Sequence, residues 1–109
     1  MQISVFEILN SSNAMFHDDG LKLHGEIMTA LARSGQVTVS FEKIKVLTTQ
    51  FLNASFGKLM MEHGLSFFQD KIDVTGTGDL PSYQTKLEWV IDNIKNNDTY
   101  RTLLDSVLA

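Results

Sequence analysis

The chain has 109 residues, enough for one domain built around one core. Cysteine is absent, which excludes disulfides, thiolate metal centres and a cysteine nucleophile. Nine basic residues against thirteen acidic ones leave a net charge of −4, and the basic ones are scattered, which argues against a nucleic-acid-binding surface. Apolar residues at 43 % and charged residues at 20 % are globular proportions. The opening MQISVFEILN lacks the basic region and apolar run of a secretory signal. No stretch approaches the roughly 18 apolar residues of a membrane span. The expectation is a soluble cytoplasmic protein without membrane or nucleic-acid partners.

Ile3, Val5, Phe6, Ile8 and Leu9 are mostly β-branched or aromatic and predict a strand over residues 2–9. Asn10 to Asn13 is a polar turn. Asp18 and Asp19 suit the positive end of a helix dipole, and Leu23, Ile27, Ala30 and Leu31 follow at helical spacing up to Gly35. A helix is therefore expected from Asp19 to Ser34. Gln36 to Phe41, QVTVSF, predicts a second strand. Residues 42–47 are ambiguous. Thr48 and Thr49 offer a cap to a second helix, whose stripe is Leu52, Phe56, Leu59 and His63, ending at Gly64. Leu65 to Asp73 predicts a third strand, and VTGTGD at 74–79 a flexible turn. Pro81 suits the first turn of a third helix with Tyr83, Leu87, Val90, Ile91 and Ile94 as its stripe. Asn96-Asn97-Asp98 interrupts it. A last helix over about 98–108 then carries Tyr100, Leu103, Leu104, Val107 and Leu108, expected to dock on the sheet or on a second subunit.

Strand–helix alternation predicts an α/β fold: one domain over 1–109, a mixed or parallel sheet of three to five strands, and helices mainly on one face. The segment 36–73 should be a parallel crossover. Ligands of such sheets gather at the carboxyl ends of the strands, here the loops 10–19, 42–49 and 74–80.

Catalytic signatures are missing: no nucleophile elbow, no phosphate-binding P-loop, no H-E-x-x-H. Gly76-Thr77-Gly78 lacks the lysine and close helix start of a phosphate loop. His17, Asp18, Asp19 and His24 would have to leave one helix face to share an ion, so they read as a solvated helix start, and no metal or cofactor is expected. His63 suits a helix C-terminus. Asp70 and Asp73, three apart on a strand, would face opposite sides, which is wrong for paired-carboxylate chemistry. Hydroxyls at Thr48-Thr49, after a strand and before a helix, mark the most suggestive cluster.

Residues 37–59, VTVSFEKIKVLTTQFLNASFGKL, carry a recognisable pattern. An apolar strand ends in Ser40-Phe41, and Ile44 follows at a spaced apolar position. Leu47-Thr48-Thr49-Gln50-Phe51 makes a turn, and Asn53 with Phe56-Gly57 lies in the helix after it. This resembles the bacterial STAS-like domain family of unknown function, a relative of the anti-sigma-factor-antagonist STAS domains. The similarity spans roughly residues 1–70. Ser40 stands where the family usually has aspartate, and Gln50 where it usually has serine.

The resemblance implies a STAS-like sandwich and a non-enzymatic interaction module in bacterial signalling. Its partner would be a kinase-like ATPase or another signalling protein. In the antagonist domains a phosphorylated serine begins this helix, and Thr49 is its nearest equivalent. Gly57 inside a helix implies a close approach, either of the helix to the sheet or of a partner to the helix. Ser11, Thr48, Thr49 and Gln50 are expected to line one partner-facing surface, in a monomer or homodimer. A small phage- or mobile-element-encoded inhibitor on this fold is the alternative. A small enzyme using the His17–Asp19 region is a third reading.

Overall fold

The computed structural model of the chain describes residues 1–108, with side chains through residue 96. Three short strands, β1 (Gln2–Ser4), β3 (Val37–Ser40) and β5 (Ile72–Thr75), form a parallel sheet in the order β1-β3-β5. Two more, β2 (Asn13–Ala14) and β4 (Val46–Leu47), pair in parallel beside it. The helices are α1 (Val5–Leu9), α2 (His17–Ser34), α3 (Thr49–Leu52), α4 (Lys58–His63), α5 (Leu65–Lys71) and α6 (Tyr83–Leu108). A π-helical turn, Asn53–Gly57, joins α3 to α4, so residues 49–63 form one rod.

The register explains which face of the sheet is covered. Ile3, Val39 and Val74 stand side by side, with Val37 beside Ile72. Strand side chains alternate between faces, so these apolar residues share one face. They belong to, or pack on, a core completed by Leu23, Ile27, Phe41, Phe51, Phe56, Leu59 and Val90. The opposite face carries Gln2, Thr38 and Asp73 in one row and Ser4, Ser40 and Thr75 in the next. Of these six only Ser40 is buried. Leu31, Ile91 and Ile94, expected in the core, are half-buried at its margin.

Several elements differ from the sequence expectation. The strand predicted over 2–9 ends at Ser4, whose hydroxyl accepts from the Glu7 N–H and starts α1. Asn10 closes α1 in the left-handed region at φ 51°. The strand predicted over 65–73 is helix α5 up to Lys71, and only Ile72–Thr75 is extended. Leu65, Phe68 and Ile72 have spacings of three and four, which a helix can turn to one side. Pro81 lies in the turn before α6 rather than in its first turn. The backbone of α6 runs through Asn96-Asn97-Asp98 without a break. The side chains of the stripe from Tyr100 to Leu108 lie outside the described residues.

Two helical glycines mark close approaches between helices. A Cβ on Gly20 of α2 would stand 2.5 Å from the Phe51 carbonyl oxygen and 2.6 Å from the Ala54 methyl, so α2 is seated directly on the rod. A Cβ on Gly57 would meet Val90 at 3.1 Å. The element that comes close to Gly57 is thus α6, and neither the sheet nor a partner is needed to account for it. The 74–79 segment is also more closely packed than a flexible turn. The Phe41 N–H donates to the Thr75 carbonyl at 2.9 Å, Leu80 N–H donates to the Thr77 carbonyl at 2.9 Å, and Lys45 pairs with Asp79 at 3.1 Å. Gly76 has φ +72°, with the Glu42 backbone nitrogen 2.6 Å from where a Cβ would be.

No described helix is long and apolar enough to cross a membrane.

Candidate functional site

The turn Thr48–Gln50 is held from several directions. Thr48 is extended at φ −114°, ψ 156°, and its hydroxyl accepts from the Phe51 N–H at 3.2 Å. The same hydroxyl donates to the Met15 carbonyl at 2.7 Å. Thr48 N–H donates to the Ala14 carbonyl at 3.1 Å, extending the β2–β4 ladder by one residue. One residue earlier, the Lys86 ammonium of α6 donates to the Leu47 carbonyl. Thr48 is therefore the cap, with both its donor and its acceptor in use. Thr49 follows as the first helical residue, half-buried, and its hydroxyl makes no hydrogen bond among the described residues. Gln50 is exposed.

Ser11 belongs to the same small ladder, further from the turn. Its hydroxyl accepts from the Asn13 N–H at 3.0 Å, and the Ser12 carbonyl accepts from the N–H groups of Lys45 and Val46. Ser11 lies in a bend before β2, four positions ahead of Met15, the contact of Thr48. Thr48 and Thr49 are half-buried and Gln50 exposed at the start of the rod, with Ser11 before the strand pair that supports it.

Behind the turn, the rod presents an outward side between α2 and α6. One groove of about 600 Å³ is bordered by His17 and Leu21 of α2 and by Asn53, Lys58, Met61 and Glu62 of the rod. A second, of about 390 Å³, lies between Asn53, Gly57 and Met61 on one side and Asn93, Ile94 and Asn96 on the other. Asn53 and Met61 border both. Met61 is 53 % exposed and Leu21 38 %, a high exposure for large apolar side chains. Neither residue lay on the apolar stripe of its helix, and that displacement was the signal in the sequence that could have found them. The pinning of the turn by Lys86 and by the Met15 carbonyl had no such signal, because 39 and 33 residues separate the partners.

Several ionisable residues near these grooves pair with one another or cap helices. His24 Nε2 pairs with Glu62 across α2 and α4. This hydrogen bond, with Lys58 3.8 Å from the other oxygen, holds the Glu62 carboxyl below its ordinary range. His63 is exposed at the end of α4 and stacks on Phe67 with ring centroids 4.7 Å apart. Asp70 lies on α5 and Asp73 on β5, not on one strand. Asp18 and Asp19 stand in the first turn of α2, and no group of three or more His, Asp or Glu residues able to hold a metal occurs among the described residues.

A polar hollow of about 370 Å³ lies at the carboxyl ends of β1 and β3, bordered by Ser4, Phe6, Ser40, Glu42 and Lys43 among others. The Ser40 hydroxyl accepts from Glu42 N–H at 3.3 Å, and Lys43 turns the chain at φ 70°, its ammonium 5.4 Å from the Phe6 ring centroid. Of the three loops expected at strand ends, 42–49 supplies Glu42 and Lys43 to this hollow. The particular residues were not foreseen, because Lys43 gives no sequence sign of a left-handed turn.

These features define a small one-sided α/β domain whose strand-to-helix turn is rigidly held beside an exposed helical face. A family model, that of the STAS-like domain of unknown function (DUF4325), matches residues 19–80. The chain belongs to this family. The matched segment includes α2 from Asp19 onward, the turn and the whole rod, and Phe41, Ile44, Leu47, Phe51 and Phe56 of the resembling pattern are all buried. No curated protein and no solved structure matches the chain.

Proposed function

We propose that this domain is a non-catalytic protein-interaction module of bacterial, cytoplasmic signalling. It receives a protein partner on the turn Thr48–Gln50 and the outward side of the rod behind it. The observation that carries this reading is the pair of exposed apolar side chains, Leu21 and Met61, facing a groove beside a turn pinned by Thr48 and Lys86. A preorganised turn reduces the ordering cost of association, and apolar anchors near it supply contact area. Membership of a STAS-like family supports the same reading, with a kinase-like ATPase or another signalling protein as partner.

Thr49 is the residue on which such a module would be switched. Its hydroxyl is uncommitted, whereas that of Thr48 is used twice. A phosphate there would add about −1.5 to −2 charges at the rim of the surface. The test is co-purification followed by a binding titration with the recovered protein. A double variant, Leu21→Asp with Met61→Asp, should lose the partner while its melting curve stays close to wild type. Thr49→Asp should change affinity, and Thr49→Ala should not. Retention of the partner at wild-type affinity by the double variant would overturn the reading.

A further inference from the structure

The sheet has two free edges, and they are not alike. β1 is only three residues long and gives way to α1 at Val5. The hollow beside it is edged by charged side chains, Glu7, Glu26 and Arg33 among them. β5 is four residues long and is bordered by a groove of about 590 Å³ with apolar walls from Ile72, Val74 and Pro81 and polar ones from Gln69, Thr77 and Gln84. This groove shares no residue with those along the rod.

The hydrogen bonding of β5 shows what its outer edge offers. Thr75 turns its carbonyl to the Phe41 N–H, that is, toward β3. Backbone groups alternate in direction along a strand, so Asp73 faces β3 with Thr75, and Val74 points its N–H and C=O away. No residue among those described bonds either group of Val74. The side chains alternate as well: Ile72 and Val74 turn to this groove, and Asp73 and Thr75 to the polar face. Asp73 is exposed and has no ion pair among the described residues. Asp79, further along, already has Lys45.

We infer that the outer edge of β5 is a second docking site, one that takes an extended segment of a protein partner as a fourth strand of the sheet. The segment would alternate apolar residues, seated in the groove beside Ile72 and Val74, with basic residues on the face of Asp73. Unpaired backbone groups call for an extended chain rather than a helix. Half-buried Val74 on the groove side and the unpaired carboxylate of Asp73 on the other face set the alternation and the sign of charge. The site is independent of the rod surface.

The probe is a capped hexapeptide alternating valine and lysine, titrated into the full ¹⁵N-labelled chain. Saturable movement of the Val74 and Gly76 amide signals is expected. Of two peptides, one N-methylated on its valines and one on its lysines, the one whose blocked nitrogens face β5 should bind at least tenfold more weakly, the lysine set for a parallel strand and the valine set for an antiparallel one. So should a peptide with glutamate in place of lysine. Val74→Pro removes an N–H that the fold does not use, a substitution that edge strands tolerate, and should likewise weaken binding at least tenfold. Absence of saturable binding, or equal binding of the parent and both N-methylated peptides, would overturn the inference whether or not the proline variant folds. A free chain that is already a dimer with a slowly exchanging Val74 amide would overturn it too, by assigning the edge to a second copy.

Discussion

Two adjacent threonines with the same side chain have different work to do. Thr48 satisfies an N–H of the new helix and at the same time ties the rod to Met15. Thr49, at the first helical position, carries no such bond. Thr48→Ala should therefore lose about 1–2 kcal/mol in urea melts, against a change within about 0.5 kcal/mol for Thr49→Ala. From residue types alone either threonine could cap. The deciding fact is the Met15 carbonyl, which a distant segment brings to Thr48. Tyr83 gives a second residue-scale outcome. Burial pushes its phenol up to about 12. The unfolded chain then releases this proton first as pH rises past 10, so the stabilisation is intact below pH 10 and is lost toward pH 12. Tyr83→Phe should flatten that alkaline loss, by at most about 2 kcal/mol, with little change at neutral pH. Melting midpoints from pH 8 to 12 give the comparison.

At the scale of elements, the close seat of α2 on the rod governs what substitutions the helices accept. Alanine normally favours a helix by about 1 kcal/mol over glycine. At Gly25, where nothing lies within 4 Å of a new Cβ, Gly25→Ala should stabilise by about 0.5–1 kcal/mol. At Gly20 the same change drives a methyl into the Phe51 carbonyl and should destabilise by about 1–3 kcal/mol. Chemical denaturation of the two variants side by side separates contact from propensity. The sequence made α2, β3 and the rod legible because each has one strong period and a clear stop, at Gly35 or Gly64 for the helices. It made residues 2–9 and 65–73 misleading. In both, apolar residues are dense enough to satisfy a strand pattern, and what decides for helix is a cap at Ser4 and the burial of Phe68 against Phe56, ring centroids 4.9 Å apart. The grooves along the rod were less legible than the turn. They arise where side chains from α2, the rod and α6 meet, and no local pattern describes a meeting of three elements.

The whole molecule folds around a core that draws on both ends of the described chain, from Ile3 to Val90. Tyr83 touches Phe41 with ring centroids 5.7 Å apart, and Leu87 and Val90 continue the same contact surface along α6. A chain ending at Ser82 would leave the Phe41–Phe56 pair, 6.0 Å between centroids, open to water on that side. Such a truncation should yield no dispersed amide spectrum, and the intact chain should unfold in one transition by both near-ultraviolet circular dichroism and calorimetry. A family match confined to residues 19–80 is compatible with this dependence. What the matched region needs from α6 is a fitting apolar surface, and many different sequences can provide one.

The bare polar face of the sheet divides its strands into two mutational classes. Residues 3, 37, 39, 72 and 74 are constrained by volume, while residues 2, 73 and 75 are exposed and Thr38 half-buried, so in a saturation library tolerance should alternate along β1, β3 and β5 with a period of two. Ser40, buried on the otherwise open side, is the one position where that alternation should fail. A domain arranged in this way can vary half of its strand residues between relatives without disturbing the packing that defines the fold.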